Sequence, residues 1–342
     1  MKRTNWITPY GMLAALVLAG GLLAGFHSAA AQEEEKFQNL KVLPKDISHE
    51  ELRAIMGGFT RALGVRCGAC HAQKSGGQGL DFPSDAKDEK KTARVMMQMT
   101  HDINEKFIST LEDHSNPPIQ VQCVTCHHGI SHPRPLTDVL KIAYAHGGID
   151  STRARYSALR DRYYGGAAYD FGEVPLAEVG QALADSGHFE DAQNIMKYNV
   201  EMNPKSAFAQ RQAAATDVMM AYYAQGGDSG AAVFQRVKGQ FQPRDQEALL
   251  AGLAGRLTKA GKPDAAIAAY KLNTTEHPQS GDAFYDLGGA YVKRGGKDDK
   301  KLAIDAYLTT VSLDSTNTDA VKQLESLKVS KSKIEKAQKA KK

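Results

Sequence analysis

The sequence predicts a mainly α-helical protein, in which a small N-terminal domain is followed by an α-solenoid. Helix-capping signals and a helical spacing of apolar residues recur along most of the chain. Convincing strand alternation does not occur, and no Asn-Gly turn separates two apolar runs. In the C-terminal half, small and large apolar residues return at a fixed spacing, which is typical of stacked helix pairs. We therefore expect helices throughout.

Two long helices are expected in the N-terminal domain. A capping box at Ser48 opens a helix that runs to about Leu63, and Gly64 stands where a left-handed C-cap belongs. A second helix is expected to start at 84–85 and to continue past Asn104.

The N-terminal segment 1–31 has the pattern of a secretory signal. Lys2 and Arg3 precede an apolar core, and the run Ala29–Ala31 resembles a cleavage site. The alternative is an uncleaved anchor, but the apolar core of about 16 residues is shorter than the roughly 20 that span a bilayer. We expect export, with the mature chain in the periplasm.

Charge gives no support for a nucleic-acid partner. The formal net charge is +4, and loss of the signal segment would bring it closer to neutrality. The C-terminal tail, 328–342, carries seven lysines and one glutamate. We expect this basic tail to be solvated, with a charged partner as the alternative.

All four cysteines lie in two Cys-x-x-Cys-His motifs, which in an exported chain indicate covalent haem attachment. Two thiols at this spacing add to the two vinyl groups of one porphyrin, and the adjacent histidine becomes the proximal iron ligand. The predicted cofactor is two covalently attached haem c groups, held by Cys67, Cys70 and His71 and by Cys123, Cys126 and His127. A zinc site would need Cys-x-x-Cys pairs about 15–20 residues apart, and a thioredoxin-like dithiol would need a βαβ setting; neither fits.

The second axial ligand decides whether each haem only carries electrons. Methionines precede both motifs, although a single methionine is more often core filling than a ligand. Periodicity does not choose between Met96 and Met99, which share a helix face. The residues considered are Met56 for the first haem, and Met96, Met97, Met99, His101 and His114 for the second. His128 and His132 flank the second motif and are expected to be exposed.

The C-terminal half contains repeated helix pairs. Two segments share one spacing of small and large residues: Leu176, Val179, Gly180, Leu183, Ala192, Met196 and Pro204, then Leu250, Leu253, Ala254, Leu257, Ala266, Tyr270 and Pro278. A third begins at Phe284, and a degenerate unit occupies about 207–246. These segments resemble the tetratricopeptide family over roughly 173–325. Such arrays bind many unrelated partners.

Residues 38–136 resemble the photosynthetic reaction-centre cytochrome c subunit family. The resemblance lies in the run from Ile55 to Cys67, in Met99–Asn104, and in the segment 123–129. It implies units of helix, turn and attachment motif, with a helix methionine on the distal face. By position, this implies Met56 and Met99 as distal ligands. Reaction-centre members carry four haems and no repeat array, whereas this chain has two motifs and an array.

The predicted organisation is a signal peptide, a dihaem cytochrome c domain, a helical linker, a tetratricopeptide-like array and a basic tail, at 1–31, 32–136, 137–172, 173–327 and 328–342. We expect a cytochrome without catalytic residues that relays single electrons between a redox donor and acceptor proteins. The repeats are expected to dock it to a membrane complex. The alternatives are a haem-containing assembly scaffold and a dihaem peroxidase.

Overall fold

Helices form most of the structure, a computed structural model that describes residues 37–112 and 115–340. The expected signal segment 1–31 and His114 lie outside these residues. In the described ranges, no helix is long and apolar enough to cross a bilayer. The helices are α1 His49–Leu63, α2 Asp88–Lys106, α3 Cys123–His127, α4 Leu136–Tyr163, α5 Glu173–Asp185, α6 Phe189–Met202, α7 Ala207–Gln225, α8 Gly227–Val237, α9 Pro243–Lys259, α10 Pro263–Glu276, α11 Gly281–Arg294, α12 Asp299–Leu313, α13 Thr318–Ser326 and α14 Lys331–Lys339. The mainly α fold is confirmed.

Helix α1 has the ends that the sequence predicts. The Ser48 hydroxyl accepts a hydrogen bond from the Glu51 backbone N–H at 3.2 Å, and the Glu51 carboxylate accepts one from the Ser48 backbone N–H at 3.0 Å. This reciprocal pair satisfies two N–H groups that the helix leaves unpaired. At the other end, Gly64 has φ 64° and its N–H donates to the Thr60 carbonyl.

Helix α2 begins at Asp88, later than the predicted 84–85, because Asp85 binds elsewhere. Its carboxylate lies 2.9 Å from Arg94 and 2.7 Å from Lys41, and it also accepts from Asn39 at 2.9 Å. Hydrogen bonds from Arg94 and then Lys41 hold the pKa of Asp85 well below its usual range. Asp85 therefore ties the segment before α1 to α2 instead of capping a helix.

A two-stranded antiparallel hairpin, absent from the sequence prediction, follows the first motif. Its strands are β1 Ala72–Gln73 and β2 Leu80–Asp81. Each strand has only two residues, too few to show the period-2 pattern by which strands are detected.

In the array, small residues lie where two helices cross. A Cβ atom at Gly180 of α5 would lie 2.8 Å from Met196 Cε of α6, and one at Gly288 of α11 would lie 2.7 Å from the ring of Tyr307 in α12. The small residue in the first helix of each pair thus leaves space for the large side chain of the second helix. This is the packing that the repeat spacing predicts.

The degenerate unit reverses this arrangement. Here the large residue, Tyr222, lies in the first helix of the pair, α7, and the small one, Gly230, lies in α8. A Cβ at Gly230 would lie 2.2 Å from the Tyr222 ring. The unit therefore keeps the close helix contact, but its residues do not match the repeat pattern.

Helix α4, in the predicted linker 137–172, contributes to the core of the array. Leu140 and Tyr156 are fully buried and belong to the same apolar cluster as Leu176 of α5. The helix breaks at Gly147–Gly148, where Gly148 has φ 64°. Both halves of α4 therefore supply side chains that cover the first repeat.

Contrary to the sequence prediction, the basic tail is not wholly solvated, because it includes helix α14. Ile334 is 3% exposed and packs in a cluster that includes Tyr307 and Leu324. The expectation of a solvated tail is wrong for this helix, because one apolar residue among the lysines is enough to dock it. Its exposed side chains include four lysines, Lys331, Lys333, Lys336 and Lys339.

We expect the array to fold without haem when α4 is retained. A fragment 136–342 made in the cytoplasm should be helical and melt cooperatively by circular dichroism. A fragment 173–342 should melt at least about 3 °C lower, because burying one large apolar side chain contributes about 1.5–3 kcal/mol, and 1 kcal/mol shifts Tm by about 2–4 °C at this size. Equal melting temperatures would show that α4 does not stabilise the array.

Candidate haem-attachment sites

The first motif forms a tight turn. A 3-10 turn spans Cys67–Ala69, and the N–H groups of Cys70 and His71 both donate to the Cys67 carbonyl, at 3.2 and 3.0 Å. Cys67 is exposed, Cys70 is half-buried, and both are free thiols. The turn thus brings two thiols and one imidazole to one short piece of chain, as attachment to one porphyrin requires.

Two lysines at the start of α2 bind backbone carbonyls, Lys87 those of this turn and Lys90 those of the segment after β2. Lys87 Nζ donates to the Gly68 carbonyl at 2.6 Å, and Lys90 Nζ donates to the Phe82 and Ser84 carbonyls at 2.7 and 2.8 Å. Neither lysine can be recognised from the sequence, because lysines in a helix normally form a solvated face.

His71 lies in a partly apolar setting. Its ring makes an edge contact with Phe82, with 5.0 Å between the ring centroids, and its Nδ1 atom is buried without a hydrogen-bond partner. Burial, followed by the positive charge of Lys90, lowers the pKa of His71. The neutral imidazole, which is the form that ligates a metal, is therefore favoured.

The second motif forms a one-turn helix, α3. The Thr125 hydroxyl accepts from the Gln122 N–H at 3.0 Å, and the helix ends at His128, which has φ 46°. His127 is 8% exposed, and its Nδ1 lies 2.8 Å from the Ile130 carbonyl oxygen. When Nδ1–H donates to that carbonyl, Nε2 keeps its lone pair for iron, the arrangement usual for histidine ligands.

Asn104 clamps the chain that leads into the second motif. Its amide nitrogen donates to the Val121 carbonyl at 2.8 Å, and its amide oxygen accepts from the Val121 N–H at 2.8 Å. This paired bond attaches the segment before Cys123 to α2. Sequence reasoning placed Asn104 in a family-like run but did not assign it this contact.

The structure places the proposed distal ligands on the predicted helices without selecting among them. Met56 is half-buried on α1, whereas Met99 is 42% exposed on α2. Met96 and Met97 are half-buried, and His101, His128 and His132 are exposed. The assignment of Met56 and Met99 as ligands stays a prediction.

The segment before the first motif and the segment after the second meet through their backbones. The Gly129 N–H, just beyond the second motif, donates to the Ala62 carbonyl of α1 at 2.8 Å. A Cβ at Gly64 would lie 1.9 Å from the Gly129 oxygen. The C-terminal end of α1 therefore rests directly on the turn that follows His127.

The surroundings of the motifs fit a large apolar cofactor. Within 37–112 and 115–135, the buried side chains are Ala62, His127 and Ile130. Large apolar residues are exposed instead, namely Phe82, Val95, Phe107, Leu111, Ile119 and Val124. Apolar surface of this extent normally marks a binding site. By contrast, no three His, Cys, Asp or Glu side chains of the described chain converge in the way that a zinc site requires.

Comparison with solved structures gives weak likenesses to MamA proteins. They are a double mutant titled MamA RS-1 ArsTM, with 15% identity and a TM-score of 0.28, and two MamA crystal structures, each with 18% identity and TM-scores of 0.28 and 0.29. They cover 53%, 53% and 54% of this chain and 93%, 98% and 92% of their own. Scores this low carry no weight for the fold, which rests on the helix pairs described above.

No curated protein matches the chain. A family model does: residues 23–147 match the photosynthetic reaction centre cytochrome C subunit. The match includes both attachment motifs and ends within α4. The N-terminal part of this chain is thus a haem-binding c-type cytochrome that resembles the reaction-centre cytochrome c subunits, and it is fused to tetratricopeptide-like repeats.

Proposed function

We propose that the chain is an exported dihaem c-type cytochrome that relays single electrons between redox partners in the periplasm or at its membrane face. The proposal rests chiefly on one observation: the end of helix α1, which leads into the first attachment turn, lies in direct backbone contact with the residue that follows the second, through the 2.8 Å bond from Gly129 to Ala62. Two electron carriers held side by side suit a relay. The repeats would dock the cytochrome to donor and acceptor proteins, including a membrane complex.

In this proposal the cysteines and the histidine of each motif have different roles. Cys67 and Cys70 form the thioether bonds of the first haem, and Cys123 and Cys126 form those of the second. His71 and His127 supply the proximal nitrogen in the neutral form. A bound haem iron contributes a one-electron couple between its ferrous and ferric states, and the chain sets its potential.

Met56 and Met99 would complete the two coordination spheres. A thioether favours the ferrous state more than an imidazole does, so Met/His ligation gives a relatively high potential and no open position for a substrate. Such a site suits electron transfer better than peroxidase chemistry.

The two proximal histidines are not equivalent, which predicts two different potentials. His127 donates to a carbonyl, and that bond makes its imidazole a stronger electron donor to iron. His71 has no such bond at Nδ1 and lies near the positive charge of Lys90. Both differences favour the ferrous state at the first site, so we place its potential above that of the second. Electrons would then move from the second site to the first.

Each motif should attach its haem independently. Cys67→Ala and Cys123→Ala should each reduce the pyridine haemochrome value from two haems to one covalent haem per chain, because each motif is complete in itself. A redox titration of the unmodified protein should show two one-electron steps, and each variant one. Two covalent haems in either variant would contradict this assignment.

Replacing a distal methionine should lower the potential of one haem only. Met56→His should shift the first centre and Met99→His the second, because imidazole stabilises ferric iron relative to a thioether. Met96→Leu, on the same face of α2 as Met99, is the matched control and should leave both potentials nearly unchanged. A shift at the second centre with Met96→Leu but not with Met99→His would assign Met96 as the ligand.

The charge of Lys90 should raise the potential of the first haem. Lys90→Gln should lower that potential by roughly 40 mV, equivalent to about 1 kcal/mol for one electron, and leave the second nearly unchanged. Lys91→Gln is the control, since both lysines pair with an aspartate but the Lys91 side chain is 56% exposed and that of Lys90 only 13%. Equal shifts in the two variants would mean that Lys90 has no specific effect.

A further inference from the structure

The two attachment units meet through backbone atoms of Ala62, Gly64 and Gly129. Gly64 lies three residues before Cys67, and Gly129 lies two residues after His127. Ala62, whose carbonyl accepts the Gly129 N–H, is 4% exposed. The contact therefore lies within a few residues of the attachment points of both units.

Only glycine fits at position 64, because the backbone of Gly129 lies so close to it. Its φ of 64° disfavours other residues, and a Cβ there would lie 1.9 Å from the Gly129 oxygen and 2.9 Å from the Gly129 carbonyl carbon. Both of these atoms are backbone, so no side chain can rotate out of the way. An ordinary contact needs 3.4 Å or more, and one unit would have to move relative to the other.

Gly129 is constrained in a different way. It has φ 87°, but a Cβ there would meet nothing within 4 Å. A side chain at this position would strain the backbone without forcing the units apart. Substitutions at the two glycines therefore distinguish two effects. Backbone strain arises at both positions, whereas the steric contact arises at Gly64 and not at Gly129.

We propose that Gly64, packed against the Gly129 carbonyl, is a positioning residue that sets the distance and orientation between the two haem units, and thereby the rate of electron exchange between them. This inference rests on the proposed dihaem relay. The exchange moves one electron from one iron to the other, with no bond formed or broken and no proton transferred. What Gly64 contributes is geometry alone.

The test uses the full-length holoprotein with Gly64→Ala. Pulsed electron paramagnetic resonance on the oxidised protein measures the magnetic interaction between the two ferric centres. Photoreduction with less than one equivalent of a one-electron reductant then measures the rate at which the electron equilibrates between them. We expect two haems per chain, an altered interaction and a several-fold slower equilibration.

Three variants serve as controls. For Gly58→Ala, the residue lies on α1 and a Cβ there would have open space around it. For Gly165→Ala, the residue lies outside the cytochrome region and has a φ of 81°, and a Cβ there would also meet nothing within 4 Å. Both should match the unmodified protein in interaction and rate. Gly129→Ala should lower the melting temperature while changing the magnetic interaction less than Gly64→Ala does.

If Gly64→Ala does not acquire its haems, Ala62→Gly provides a milder change. This substitution loosens the end of α1 and should broaden the distribution of distances between the two ferric centres. An unchanged interaction and rate in Gly64→Ala, or an unchanged distribution in Ala62→Gly, would overturn the positioning role. If the unmodified protein held fewer than two haems, or its centres exchanged no electrons, the relay itself would be wrong, and this inference with it.

Discussion

Helix α2 and its N-cap residue contact the first attachment motif near one end and the segment leading into the second motif near the other, and the geometry of the N-terminal region depends on these contacts. Lys87 donates to carbonyls of the first motif, and Asn104 pairs with Val121 before the second. The helix has 19 residues, so it spans about 28 Å between its ends. Because all these contacts involve backbone groups of the loops, they fix the main chain on which the cysteines and histidines stand. Asp85 also links the segment before α1 to the same helix.

The cytochrome region and the array differ in how they are stabilised. The former buries few side chains of its own, and polar contacts to backbone groups hold its loops. The latter has two apolar clusters, the first of which begins with Leu136 and Leu140 of α4. The Thr137 hydroxyl also donates to Glu178 of α5 at 2.6 Å. The second motif is thus connected to the rigid part of the molecule by a short segment, and docking of the array would also position the cytochrome.

Local features of the fold were predictable from sequence, and long-range polar contacts were not. The ends of α1 and the spacing of Gly180 and Met196 follow from capping and helix-crossing rules that act over a few residues. The roles of Lys87 and Asn104 depend on loops distant in sequence, and one chain gives no signal for such pairs. The attachment residues could be named because their chemistry requires a fixed local spacing. The choice between Met96 and Met99 depends on where a cofactor lies relative to α2, and helical periodicity does not contain that information.

The last helix determines what the end of the array presents to its surroundings. A stack of helix pairs would otherwise end in an apolar face, onto which a second copy could add. In this chain Ile334 covers that face, and the outer surface of α14 carries Lys331, Lys333, Lys336 and Lys339. Two such ends would repel each other through their like charges. Helix α14 therefore gives this face of the array a basic surface, which disfavours pairing of two copies through it.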